Sequence, residues 1–203
     1  MWLRVFAWVV AHSEDAMNRL LGARKRLLFA SLRGTVLEIG PGTGANLPFL
    51  PPDVRWIGVE PNPYMHRYLR EKAAKLGREL EIRCGTAEQL DLPDESVDVV
   101  IATFVLCSVG DVTRALHEVW RVLKPDGQFV FIEHVAAPRG TMLRRLQELV
   151  QPVWSVIADG CHPDRETWVG LEHAGFRDLR YERFELAVPF KITAPCIAGV
   201  AVK

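Results

Sequence analysis

The first chemical signal in this chain comes from two acids and three glycines. Glu38 interrupts the apolar run Val36-Leu37-Glu38-Ile39, and the turn Gly40-Pro41-Gly42-Thr43-Gly44 follows it directly. A lone acid in a buried strand costs several kcal/mol or is neutralised, so Glu38 calls for a cationic or donor-rich partner. Glycines at alternate positions let the main chain bend tightly and admit a ligand against bare backbone. Glu60 ends the next strand-like segment, twenty positions after Gly40. A carboxylate there can accept both hydroxyls of an adenosine ribose.

Two ligands compete for this arrangement. Gly40, Gly42 and Ala45 satisfy the relaxed dinucleotide pattern G-x-G-x-x-G/A. Glu38 separates the readings, because a pyrophosphate would be repelled by a carboxylate two residues before the turn, whereas an ammonium group would be held by it. S-adenosylmethionine has an adenosine for Glu60, an ammonium group for the Glu38 side and a methyl on a sulfonium that is open to displacement.

The elements that must position these groups alternate along the chain. Strand-like segments fall at Thr35–Ile39, Val54–Val59, Glu81–Arg83, Val97–Thr103, Gln128–Glu133, Leu179–Phe184 and Ile197–Val202. Helical spacing marks Pro63–Lys75, Val112–Leu123, Thr141–Ile157 and Glu166–Ala174. Upstream, Ser13 is read as the cap of a second helix that runs to about Leu32, after a first helix at the N-terminus. Apolar strands separated by helices imply a mostly parallel sheet covered on both faces, a doubly wound α/β fold. In such a sheet, ligands bind outside the carboxyl ends of the strands, which is where the glycine turn falls.

The 203 residues, 49% of them hydrophobic, fit a single domain over 1–203. It divides into N-terminal helices (1–33), a cofactor-binding core (34–135) and acceptor-side helices with the final strands (136–203). Lys and Arg total 25, as do Asp and Glu, so no global basic field favours a nucleic-acid partner. Cys84, Cys107, Cys161 and Cys196 are scattered without a C-x-x-C pair, which indicates a reduced, cytoplasmic chain. The N-terminal run MWLRVFAWVVAHSED is too short to span a bilayer. It reads either as a helix packed over the body or active site, or as an interfacial helix making peripheral membrane contact, aided by Trp2, Trp8 and Arg24-Lys25-Arg26.

Four motifs in order, VLEIGPGTGAN, GVEPNPYM, CGTAEQLDLPDESVDVVIAT and HEVWRVLKPDGQFVFIEH, resemble those of class I S-adenosylmethionine-dependent methyltransferases over residues 34–135. With LCSVGD, EHV, DGCHPDRETW and the terminal GVAVK, the chain is similar to the thiol S-methyltransferase family along nearly its whole length. The resemblance implies a seven-stranded Rossmann-like sheet with S-adenosylmethionine as cofactor. It also implies a small apolar acceptor, most simply an alkyl thiol. A quinone carbon, a lipid amine and a cofactor-binding regulatory role are the alternatives. That family is membrane-associated through an N-terminal apolar segment longer than the one here.

Carried over residue by residue, the resemblance puts Glu38, Gly40, Gly42 and Gly44 on the methionine side and Glu60 on the ribose. Asn62 and Met65 fall near the adenosine, Thr86, Ala87 and Glu88 around the adenine, and Thr103 and Leu106 at the end of the fourth strand. Many relatives have Asp where Thr86 stands. For the acceptor, a thiol asks only for a modest base or donor, because the thiolate is its nucleophilic form. His134 lies just after the fifth strand and is of a type suited to proton removal. Asp159, Cys161 and His162 form the other polar cluster, expected to shape the acceptor pocket. Cys161 and His162 are adjacent and cannot by themselves complete a tetrahedral metal site, so no metal is expected. Trp154, Trp168 and Phe190 could wall an apolar pocket or belong to the core. Cys107 reads as buried and inert.

Overall fold

The computed structural model describes residues 1–188 and 192–203; Phe190 lies outside them. Seven strands form one sheet in the order β3-β2-β1-β4-β5-β7-β6. They are β1 (Thr35–Ile39), β2 (Arg55–Val59), β3 (Glu81–Arg83), β4 (Val97–Thr103), β5 (Leu123–His134), β6 (Asp178–Val188) and β7 (Ile192–Val202). The first five run parallel, while β7 lies antiparallel between β5 and β6. The strand order reverses beside β1, so the crevice at the carboxyl ends of β1 and β4 is the natural ligand site.

Side chains that alternate along β1 feed two different cores. Leu37 and Ile39 face helices α3 (Val112–Val122) and α5 (Thr167–His173), packing with Leu116, Val119 and Leu171. Val36 faces the other way, onto α1 (Trp2–Phe29) and α2 (Met65–Leu76), where Phe29, Leu69 and Ala73 meet it. Helix α3 starts where the Asp111 side chain accepts a hydrogen bond from the Arg114 amide, at 3.0 Å, and α2 ends at Gly77 in the left-handed conformation. Helix α4 (Met142–Ile157) is capped by the Thr141 hydroxyl and buries only Gln147 of its side chains.

The N-terminal helix departs from the sequence reading. It is one continuous helix of 28 residues, not two. Ser13 does not cap a new helix; its hydroxyl donates back to the Val10 carbonyl at 3.1 Å, which leaves the helix intact. The last two strands are also longer than expected, because β6 and β7 pair with each other from Asp178↔Val202 as far as Val188↔Ile192.

Candidate active site

A cavity of about 530 Å³ opens at the carboxyl ends of β1, β2 and β4, a size suited to a small-molecule cofactor. Its floor is the glycine turn. Gly40 and Gly42 both have positive φ, 58° and 57°. A Cβ at Gly40 would come within 2.7 Å of Val105, whereas one at Gly42 would meet nothing within 4 Å and would stand in the cavity. The first glycine is required by packing, the second by the space a ligand needs.

Glu38 is 1% exposed and its partners are donors, as its position demands. Asn46 Nδ2 and Trp56 Nε1 each donate to one of its oxygens at 2.8 Å. Burial raises its carboxyl pKa, and the Trp56 and Asn46 hydrogen bonds and the charge of Lys25 oppose that rise. Asn46 also donates to the Thr103 hydroxyl at 3.0 Å, while its own Oδ1 is buried without a partner. A buried acceptor beside a buried carboxylate, both on the cavity wall, is a receptor for a cationic donor such as an ammonium group.

Glu60 holds the second wall. Its two oxygens accept from the amides of Asn62 and Gly42 at 2.8 and 2.9 Å, fixing the carboxylate between β2 and the turn. Burial raises its pKa as well, against the pull of those two amides.

Helix α1 roofs the cavity through Phe6, Val10, Glu14 and Met17. Glu14 accepts from the Thr43 hydroxyl at 2.8 Å and pairs with Lys72, and Asn62 Nδ2 donates to the Leu3 carbonyl at 3.1 Å. Lys25, which the sequence placed in a basic surface patch, is 1% exposed. Its ammonium donates to Asn18 Oδ1 at 2.8 Å and to the Ala45 carbonyl at 3.1 Å, tying the roof to the turn.

Burial lowers the Lys25 pKa to about 8, against the attraction of Glu38. Native Lys25 therefore releases its proton near pH 8 and the unfolded chain near pH 10.5, so the unfolded state binds more protons between those values. Stability should rise with pH across that window by up to about 3 kcal/mol from this group. Denaturant unfolding of wild type and Lys25→Met at pH 7.5 and 10 checks it. The difference between the two should shift in favour of wild type at high pH, and parallel profiles would refute the assignment.

The cavity gathers most of the residues read from the sequence: Glu38, Gly40, Gly42, Glu60, Met65, Thr86, Ala87, Glu88, Thr103 and Asp159 line it. Glu88 is partly committed elsewhere, accepting from the Gly110 amide at 2.8 Å. Gly44, Asn62, Leu106 and His134 are not among the lining residues. Gly44 turns the chain over Leu69 and Leu47, Asn62 braces Glu60 and α1, and Leu106 is fully buried core. His134 stacks on Phe104, with ring centroids 4.1 Å apart, so Phe104 holds the lining position there. Trp154 and Trp168 do not line the cavity either. Trp168 packs at the edge of the core with Arg183 over its ring.

The sequence reading missed Glu133. It is fully buried, and its carboxylate accepts from the amides of Val105 and Leu106 at 3.0 Å each and of Cys107 at 3.3 Å. Burial pushes its pKa up to about 7, against the amides of Leu106, Val105 and Cys107. These bonds secure the turn that begins at Phe104, a bulky residue with φ of 58°, a conformation that persists only where its surroundings enforce it. The only hint in the sequence was an acid inside the apolar run FVFIEH.

This sheet order, with a glycine turn after β1 and an acid after β2, defines a class I methyltransferase, whose cofactor is S-adenosylmethionine. A methyltransferase-domain family model matches residues 37–131. The human thiol S-methyltransferases TMT1A and TMT1B are 38% and 37% identical to this chain, each over 98% of its length and 86% of their own. The crystal structure of the YcgJ protein from Bacillus subtilis superposes with a TM-score of 0.74, at 22% identity over 92% of this chain and 98% of its own, which speaks to the fold alone. The chain belongs to the thiol S-methyltransferase family.

The residues present fit the cofactor. The orphaned Asn46 Oδ1 and Glu38 suit its ammonium group, the open face of Gly42 leaves room for it, and Glu60 suits its ribose.

Proposed function

We propose that this enzyme methylates the sulfur of a small apolar thiol. The observation that carries the reading is the likeness to thiol S-methyltransferases over 98% of this chain, joined to an acceptor end walled by Phe6, Val10, Met17 and Phe104 with Asp159 beside it. When bound, S-adenosylmethionine supplies a methyl group on a sulfonium, open to in-line displacement by a thiolate.

The chain's own part is alignment and exclusion of water. Glu38 and Asn46 hold the methionine side and Glu60 the ribose, while Met65, Thr86 and Ala87 flank the base. Phe104 and the α1 side chains exclude water and give the alkyl group an apolar wall. Asp159, which lines the cavity, accepts the hydrogen bond of the incoming S–H. His134 acts as a positioning residue, fixing the Phe104 ring by stacking.

A methyl-transfer assay with alkyl thiols, a quinol and a lipid amine tests the acceptor. Turnover confined to thiols, rising with pH toward a thiol pKa of about 8.5, is expected. Turnover on the quinol or the amine alone would overturn the reading.

The same proposal includes peripheral contact with a membrane surface. No helix among the described residues is long and apolar enough to cross a bilayer. Trp2, Val5 and Trp8 on α1 and Leu149, Val153 and Val156 on α4 nevertheless stand exposed, the pattern of helices that lie in an interface. Co-sedimentation with lipid vesicles, lost in Trp8→Gln with Val153→Gln, is expected; no sedimentation of the wild type would exclude it.

A further inference from the structure

LCSVGD, EHV and DGCHPDRETW, the segments that carry the likeness beyond the generic methyltransferase core, meet in space. Cys107 after β4, His134 at the end of β5 and Cys161 after α4 bring their ligand atoms within 4.8 Å of one another. The two sulfurs are 3.6 Å apart. Two thiolates on one tetrahedral zinc ion, at about 2.3 Å each, stand roughly 3.7 Å apart, so the sulfur pair already has the spacing of a chelate. It is far longer than a disulfide bond of about 2.05 Å.

The frame around these donors is pinned without help from the cysteine thiols. The His162 amide donates to the Cys107 carbonyl at 2.8 Å, and the Arg165 guanidinium donates to the carbonyls of Leu106 and Val109 at 2.7 Å each. The Glu133 carboxylate holds the Cys107 amide, and Phe104 fixes the imidazole plane of His134. Both cysteines are buried and His134 is half-buried, which leaves the imidazole side as the approach. Charge agrees with burial, because a divalent ion with two thiolates and a neutral imidazole has no net charge to bury.

We propose that Cys107, Cys161 and His134 form a zinc(II) site of Cys2His type, beside the cofactor cavity and lined by none of the residues that hold the cofactor. The fourth tetrahedral position is left to water or another exogenous donor. Each cysteine loses its proton to solvent as the ion binds, so binding is accompanied by release of up to two protons. Cys107 and Cys161 are far apart in sequence, so Cys107 reads there as inert and Cys161 as a ligand only beside His162, a pair that alone cannot complete a site.

The test uses full-length protein purified under anaerobic conditions with a phosphine reductant. Elemental analysis after dialysis against zinc should give one equivalent of metal. Cobalt(II) replacement should give sulfur-to-cobalt charge-transfer absorption in the near ultraviolet and tetrahedral ligand-field bands in the visible. Both should be lost in Cys161→Ser and Cys107→Ser, weakened in His134→Gln and unchanged in Cys84→Ser, an exposed cysteine. Circular dichroism establishes that each variant is folded, and a variant that is not folded is replaced by the others in the series. Substoichiometric metal in folded wild type would overturn the site. So would a cobalt spectrum indifferent to both cysteine substitutions, or a Cys107–Cys161 disulfide in the reduced preparation.

Discussion

Glu60→Ala is expected to weaken S-adenosylmethionine binding by about 10²-fold or more. Hydrogen bonds to a charged group contribute roughly 1.5–3 kcal/mol each, and a ribose offers two hydroxyls to this carboxylate. Loss of both exceeds about 3 kcal/mol, and each 1.4 kcal/mol is a factor of ten in affinity. The same substitution frees the amides of Gly42 and Asn62, which Glu60 now holds at 2.9 and 2.8 Å, so the turn itself loosens. Glu60→Gln keeps the volume and one acceptor, and should fall between the two. Calorimetric titration checks this; affinities within a few-fold of wild type in Glu60→Ala would remove the ribose from this wall.

Glu133→Ala should produce the largest loss of stability. The substitution orphans the amides of Val105, Leu106 and Cys107 around a fully buried side-chain position. An unsatisfied buried donor costs about 1–3 kcal/mol, but removal of a carboxylate that burial already disfavours returns part of that. A net loss of about 3–5 kcal/mol follows, which lowers the melting temperature of a chain of this length by roughly 10 °C. Glu133→Gln retains one acceptor and should lose less than half as much. Thermal melts of the three proteins decide it. A Glu133→Ala melting point within 2 °C or so of wild type would show that the Phe104 turn stands without its acceptor.

Periodicity and turn chemistry made the sheet legible. The apolar stretches Thr35–Ile39 and Val97–Thr103 are strands with those bounds, and the acid–glycine–acid pattern around Glu38, Gly40, Gly42 and Glu60 lines one cavity. What stayed hidden depends on partners far away in the chain. That Glu38 needed donors followed from elementary electrostatics. That they are Asn46 and Trp56 required β2 to lie beside β1. Lys25 looked like part of a solvated basic run because neighbouring arginines surround it, yet it faces the turn. Ser13 looked like a cap because the local pattern cannot distinguish a helix start from a hydroxyl bonded back to a carbonyl within a helix. The cysteines gave no spacing signal at all, since two separate loops and the end of β5 bring Cys107, Cys161 and His134 together.

On the proposed function, the cavity under α1 aligns a thiol sulfur with the methyl group of S-adenosylmethionine. The most direct test is mass spectrometry of a single reaction of wild-type protein with S-adenosylmethionine and an alkyl thiol, following both products over time. A methyl thioether and S-adenosylhomocysteine should accumulate in equal amounts, and neither should form above background with Glu60→Ala at a cofactor concentration near the wild-type Kd. Tight cofactor binding with no methyl thioether from any thiol in the panel would contradict it.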